Sequence, residues 1–240
     1  MSYSNSLGRL DLEYALEMGL STLFNMEDIV HDTVSAIRLG ECLRTEYSHK
    51  APRFAHFETV DSKLRNIALD MTYLSWLYND AIAGERPKLD MVETCIALWQ
   101  LSYRLLHFRP LSESKRPEGV EDVVSLGLIM FILPFLHKLD GRVPYCALIH
   151  DLAHSATNCV LDTEGNKVLL WMLLAGTASV YSYPFEEHIV SAASRVIDSL
   201  CINTWEEVAS MLTGFPWVDA LFGRSGQLLF DAAAGVTDAV

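Results

Sequence analysis

Apolar residues recur at spacings of three and four along most of this chain, and that pattern constrains its fold more than any other feature. Between residues 61 and 82, for example, Leu64, Ile67, Met71 and Leu74 fall on one face of a helix with about 3.6 residues per turn. No alternating run of β-branched residues is bounded by a hairpin turn. We therefore predict an all-α fold, an irregular bundle of about nine to ten helices.

Two segments, residues 123–136 and 168–180, are apolar enough to raise the question of membrane insertion. The first covers 14 residues and the second is of similar length, whereas a helix needs about 20 to span the hydrocarbon core of a bilayer. We expect both segments to be fully buried helices and the protein to have no membrane partner.

Helix-breaking residues divide the chain. Residues 84–87 (GERP) separate two helices, and the polar stretch 109–119 contains Pro110, Pro117 and Gly119. We predict that this stretch is a linker between an N-terminal helical half and a C-terminal helical half, which together form one continuous domain. The predicted ranges are 1–108 for the first half, 109–119 for the linker and 120–235 for the second half.

Shorter signals mark individual turns and helix starts. Thr204 followed by Glu207 is typical of a capping box, in which each side chain accepts a hydrogen bond from the backbone amide of the other residue. The sequence GRSG at 223–226 is glycine-rich but lacks the rest of a phosphate-binding motif, so we interpret it as a plain turn. Further turns are predicted at residues 140–144, 162–166 and 183–184.

Charge and cysteine content exclude several function classes. The chain has 18 basic and 31 acidic residues, a net charge of −13, and neutralising nucleic-acid phosphates requires a basic surplus. Its five cysteines include no Cys-x-x-Cys pair, which excludes a compact cysteine-based zinc cluster and argues against a disulfide framework. Residues 1–20 do not have the basic start and apolar run of a secretory signal.

The sequence HDLAH at 150–154 is the sharpest chemical signal. His150 and His154 are four residues apart, so a helix presents both imidazoles on one face, where they can bind a single metal ion. Asp151 follows the first histidine, where zinc proteases carry a glutamate that acts as general base. Glu164 and His188 are available as a third ligand, although neither lies at a recognised spacing.

The adjacent pair His150–Asp151 also matches the pair of metal ligands in HD-type metal-dependent phosphohydrolases, which are all-α enzymes. The remaining ligands of that pattern would come from His107 or His137 and from Asp198. An all-α metal-dependent hydrolase that uses His150, Asp151 and His154 is therefore the alternative function. The leading interpretation of these residues is two partly exposed histidines on an amphipathic helix.

Other catalytic signals are absent from the sequence. It contains no Gly-x-Ser-x-Gly nucleophile elbow and no glycine-rich phosphate-binding loop. We expect no catalytic, cofactor-binding or metal-ligating residues, and no enzymatic activity. The aromatic residues of the last third are instead expected to form a core; they are Trp171, Tyr181, Tyr183, Phe185, Trp205, Phe215, Trp217, Phe222 and Phe230.

Four motifs follow one another in the C-terminal half. Residues 121–131 (EDVVSLGLIMF) have an acidic start and then Leu-Gly-Leu-x-x-Phe, and residues 169–176 (LLWMLLAG) read Leu-Leu-Trp-x-Leu-x-x-Gly. Residues 199–208 carry Ser-Leu, a short gap and Trp-Glu-Glu-Val, and residues 211–217 (MLTGFPW) end in Leu-x-x-Phe-x-Trp. In order and spacing over roughly 121–230, this set resembles the fungal-specific transcription factor domain, the helical regulatory region of zinc binuclear cluster regulators.

The resemblance implies a non-enzymatic regulatory domain in the nucleus; the chain has no clear localisation signal, so the cytoplasm is the alternative location. Such a domain would act through co-regulator proteins, a full-length regulator or a small-molecule inducer. Members of the family usually carry a six-cysteine cluster that holds two zinc ions and contacts DNA, and this chain has no such cluster. We therefore expect no direct contact between this chain and nucleic acid.

Overall fold

Every regular element in the described part of the protein is a helix. The computed structural model describes residues 11–12, 14–16, 22, 60–111, 119–138 and 147–235. With the helical residues 11–12 and 14–16, these ranges contain nine helices and no strand, which confirms the all-α prediction. The eight helices with defined bounds are α1 (Ser62–Ile82), α2 (Met91–Phe108), α3 (Val120–Lys138), α4 (Ala147–Ala156), α5 (Thr163–Gly176), α6 (Glu187–Leu200), α7 (Trp205–Leu212) and α8 (Asp219–Ala233).

Helices α3 and α5 lie at the centre of the described part of the protein and share the most extensive helix–helix contact within it. Residues 123–134 of α3 and 168–176 of α5 are buried on all sides, as expected for helices without a polar face. Residues 123–134 and 168–176 of the two apolar segments are therefore buried helices, as predicted, whereas residues 177–180 form a turn after α5 and residues 178–180 are only partly buried. Among the described residues, no helix combines the length and the apolarity that crossing a membrane requires.

The closest approach between these helices occurs where Gly127 of α3 meets Trp171 of α5. A Cβ atom at Gly127 would lie 2.3 Å from Cζ3 of Trp171, so only glycine lets the indole rest on the α3 backbone. On its other side the indole stacks on Phe215, with ring centroids 5.3 Å apart. Trp171 is fully buried and its nitrogen is hydrogen-bonded, as burial of an indole requires.

The two predicted halves share one hydrophobic core, because buried residues of α1 and α2 belong to the same cluster as those of α3, α5 and α8. A polar junction joins them at Glu121, whose carboxylate accepts hydrogen bonds from the Asp61 amide at 2.8 Å and from Arg109 at 2.7 Å. Of the predicted linker, Leu111 is buried in the core. Residues 112–118 lie outside the described residues.

Two predicted local features are confirmed. α1 ends at Ile82, and Gly84, at φ +78, turns the chain toward α2. Thr204 and Glu207 form the complete capping box at the start of α7. Residues 183–184 lie in the non-helical segment between α5 and α6, whereas the turn predicted at 140–144 falls outside the described residues.

Two predicted turns are wrong. At residues 162–166, Asp162 is the N-cap of α5 and accepts a hydrogen bond from the Gly165 amide, so the following residues form the first helical turn. At residues 223–226 the chain is helical, inside α8. Tertiary packing explains the helix at residues 223–226. Gly226 leaves room for two tryptophans, because a Cβ atom at this position would lie 3.1 Å from the ring of Trp217 and 3.3 Å from the ring of Trp205.

The aromatic core is confirmed for most of its predicted members. Trp171, Tyr181, Phe215, Trp217, Phe222 and Phe230 are buried, and Trp205 and Phe185 are partly buried and pack against the same cluster. The prediction is wrong for Tyr183, which is 70% exposed. Tyr183 lies in the segment between α5 and α6, where its ring contacts Phe185 edge-on.

Candidate metal-binding site

Three histidines and a glutamate come together where α4 meets the start of α6. His150 and His154 lie one turn apart on α4, as their spacing predicts. Ile149 and Ala153 on the neighbouring face of α4 are fully buried, which turns the two imidazoles toward the edge of the core. His188 belongs to the first turn of α6, and Glu186 occupies the N-cap position just before this helix.

Glu186 bridges two of the imidazoles. One carboxylate oxygen, Oε1, lies 3.0 Å from Nε2 of His150, and the other, Oε2, lies 3.4 Å from Nδ1 of His188. The side chain makes no capping hydrogen bond to the amides of α6, although it occupies the N-cap position. The carboxylate therefore faces the imidazoles of His150 and His188 instead of the backbone amides of α6.

The histidine rings also contact one another. The rings of His154 and His188 meet edge to face with centroids 4.3 Å apart, and those of His150 and His188 lie 5.8 Å apart. Partial burial of His188 and the proximity of His154 lower the pKa of His188, outweighing the opposite effect of Glu186. The neutral imidazole, which keeps a lone pair for a ligand, is the favoured form.

Two covered polar atoms belong to this region and have no hydrogen-bond partner: Nε2 of His188 and the hydroxyl of Tyr181. The Tyr181 ring meets the His150 ring edge-on, with centroids 6.1 Å apart. Burial and the nearby Glu186 carboxylate raise the pKa of Tyr181, so its hydroxyl stays protonated. Covered polar atoms without partners are uncommon in folded proteins, and two of them border the same cluster.

Of the residues that the alternative function names as candidate metal ligands, the structure brings only some together. In the described part of the chain, the histidine, cysteine and acidic side chains that could hold an ion jointly are His150, Glu186 and His188, with ligand atoms within 4.8 Å of one another. His154 lies beside this group and contacts His188. Asp151 does not belong to the group: its side chain is 82% exposed and is 3.8 Å from His150.

The other nominated residues lie elsewhere. Glu164 forms an ion pair with Lys167 at 2.7 Å, and His107 and Asp198 are exposed and outside the group. The side chain of His137 is outside the described residues. Glu186 was not predicted as a ligand, because an acidic residue at a helix start is explained by the helix dipole alone.

Comparison with known protein families, with curated proteins and with solved structures finds no match to this chain.

Proposed function

We propose that this chain is the regulatory region of a fungal transcriptional regulator, which acts in the nucleus through protein or small-molecule contacts and does not itself bind DNA. The observation that carries the proposal is that the four ordered motifs of the C-terminal half pack against one another in a single core. Motifs that form one structural unit are typical of a domain whose sequence is constrained by packing and not by catalysis.

The contacts run from motif to motif. Gly127 of the first motif accommodates Trp171 of the second, and Trp171 stacks on Phe215 of the fourth. Trp217 of the fourth motif and Trp205 of the third both lie against Gly226 of α8. Every motif thus contributes a residue to one continuous set of contacts around the α3–α5 pair.

Charge supports the part of the proposal that concerns nucleic acid. The net charge of −13 opposes a phosphate backbone, because such binding depends on basic residues that release counterions. Regulation would then depend on a co-regulator or inducer that binds one packing of the helices more tightly than another. A differential affinity of about 1–3 kcal/mol is typical of such coupling.

A reporter assay tests this function. The full chain is fused to an unrelated DNA-binding domain in yeast, and reporter output is compared with that of the DNA-binding domain alone. We expect the fusion to change the output and Trp171→Ala to abolish the change, whereas Glu206→Gln, an exposed substitution, should retain it. Unchanged output from a folded, nuclear fusion would refute the proposal.

The DNA-binding part needs a separate measurement. Fluorescence anisotropy with the purified chain and duplex DNA at physiological salt should show no binding. Saturable binding that weakens steeply with salt would show direct phosphate contact and contradict this part of the proposal.

A second candidate function is an all-α metal-dependent hydrolase, and one observation favours it: His150 lies in a group of three potential metal ligands. The carboxylate of that group is Glu186, whereas the sequence-based version used Asp151 with His154. Hydrolysis of a simple phosphodiester by the metal-loaded chain, lost in His150→Ala, would support this candidate. No turnover above the metal-free background would remove it.

A further inference from the structure

We propose that His150, Glu186 and His188 bind one divalent transition-metal ion of the zinc class, which links α4 to the start of α6. This inference does not depend on the regulatory function proposed above. It replaces the expectation, drawn from the sequence, that the chain has no metal-ligating residues.

The ligand types select the metal. Imidazole nitrogens suit zinc and neighbouring transition metals, whereas Mg²⁺ and Ca²⁺ prefer oxygen ligands. Two histidines and one glutamate are a known zinc ligand set, and it leaves a further coordination position open to water or another donor. A zinc-class ion is therefore expected to bind, and Mg²⁺ is not.

The distances require only local adjustment. The ligand atoms lie within 4.8 Å of one another, and ligands at zinc bond lengths of about 2.0–2.2 Å in a tetrahedron are roughly 3.4 Å apart. A pair at that limit would have to approach by about 1.4 Å. Glu186 can contribute to this adjustment by side-chain rotation, because its side chain is 60% exposed and is not engaged in capping its helix.

The backbone that carries the ligands is already held in place. Arg195 of α6 donates a hydrogen bond to the carbonyl oxygen of Thr157, just beyond the end of α4. His154 packs its ring against His188 and limits the orientations open to that imidazole. A site assembled before the ion arrives loses less conformational entropy on binding.

The electrostatics also favour an ion. A bound cation would place positive charge beside the Glu186 carboxylate, whose two oxygens lie 3.0 Å from Nε2 of His150 and 3.4 Å from Nδ1 of His188. Coordination through Nε2 of His188 would give that atom the partner that it lacks among the protein atoms.

Calorimetric titration of the purified, EDTA-treated full chain with zinc chloride tests the proposal. We expect one Zn²⁺ per chain, a rise in the melting temperature on binding and no response to Mg²⁺. His150→Ala and His188→Ala should each weaken Zn²⁺ binding by at least about tenfold and remove the thermal shift. His107→Ala is the matched control, because His107 is an exposed helical histidine outside the group, and it should bind like the wild type.

Glu186→Gln provides a second test of the site that remains informative if the histidine variants misfold. Its side chain is mostly exposed and makes no capping bond, so the fold should persist by circular dichroism while Zn²⁺ affinity falls. The proposal is overturned if the wild-type chain shows no stoichiometric Zn²⁺ binding. It is equally overturned if Glu186→Gln and the two histidine variants bind like the wild type, or if His107→Ala loses as much affinity as they do.

Discussion

Trp171 donates its indole N–H to the carbonyl oxygen of Pro216 at 2.9 Å, joining two residues that are 45 positions apart in the chain. The bond attaches the segment after α7 to the central helix α5. Because both groups are buried, each would lack a partner if the other were removed, and such a loss costs about 1–3 kcal/mol beyond any change in packing.

Trp171→Ala should therefore destabilise the chain by at least about 3–5 kcal/mol, since it leaves a cavity and an unpaired carbonyl. Trp205→Ala should cost less, about 1–3 kcal/mol, because Trp205 is only partly buried. Urea unfolding followed by circular dichroism measures both. If the two variants lost equal amounts of unfolding free energy, the burial of each tryptophan would not determine how far its removal destabilises the chain.

Gly127→Ala should destabilise the chain, although alanine is the better helix former, because its methyl group would lie 2.3 Å from Trp171. We expect a loss of about 1–3 kcal/mol. Gly223→Ala is the matched control: Gly223 is also helical, and the nearest atom to an added Cβ is 4.0 Å away. That substitution should stabilise the chain by about 0.5–1 kcal/mol. If thermal melting moved in the same direction for both variants, the close approach of Trp171 would be disproved.

Tyr103→Phe and Tyr181→Phe remove the same hydroxyl from two buried tyrosines and should have different effects. The Tyr103 hydroxyl donates to the Asp11 carboxylate at 2.9 Å, so its loss should cost about 1.5–3 kcal/mol. The Tyr181 hydroxyl has no partner, so its loss should be neutral or slightly stabilising. Chemical denaturation in the presence of EDTA measures both values, and a large loss for Tyr181→Phe alone would contradict the structure.

Glu121→Gln should weaken the junction between the two halves, because it removes the charge from the hydrogen bond with Arg109. We expect a loss of about 1–2 kcal/mol, smaller at high salt. Glu206→Gln, an exposed change in the first turn of α7, serves as the control and should alter stability by a few tenths of a kcal/mol. Equal effects of the two changes on urea midpoints would mean that the junction is not stabilising.

Sequence reasoning succeeded for several local signals, although it missed the N-cap at Asp162. The capping box at Thr204 requires only residues within one helical turn, and the buried helices α3 and α5 follow from apolar runs too short to span a membrane. It failed at residues 223–226, where two glycines in four residues are typical of a turn. The reason is that Trp217 and Trp205 occupy the space beside Gly226, so packing favours a helix that propensity disfavours.

The candidate site also has one part that local sequence predicts and another that depends on tertiary packing. The spacing of His150 and His154 on one face of α4 could be predicted, because it depends on helix geometry alone. The meeting of His150 with Glu186 could not be predicted, since the two residues are 36 positions apart and the packing of α6 beside α4 brings them together. By itself the sequence determined the helical class, the capping box at Thr204 and the buried segments, all of which depend on neighbours within a few residues. Only the tertiary structure decided which side chains from distant helices share a site, because that depends on how the helices pack.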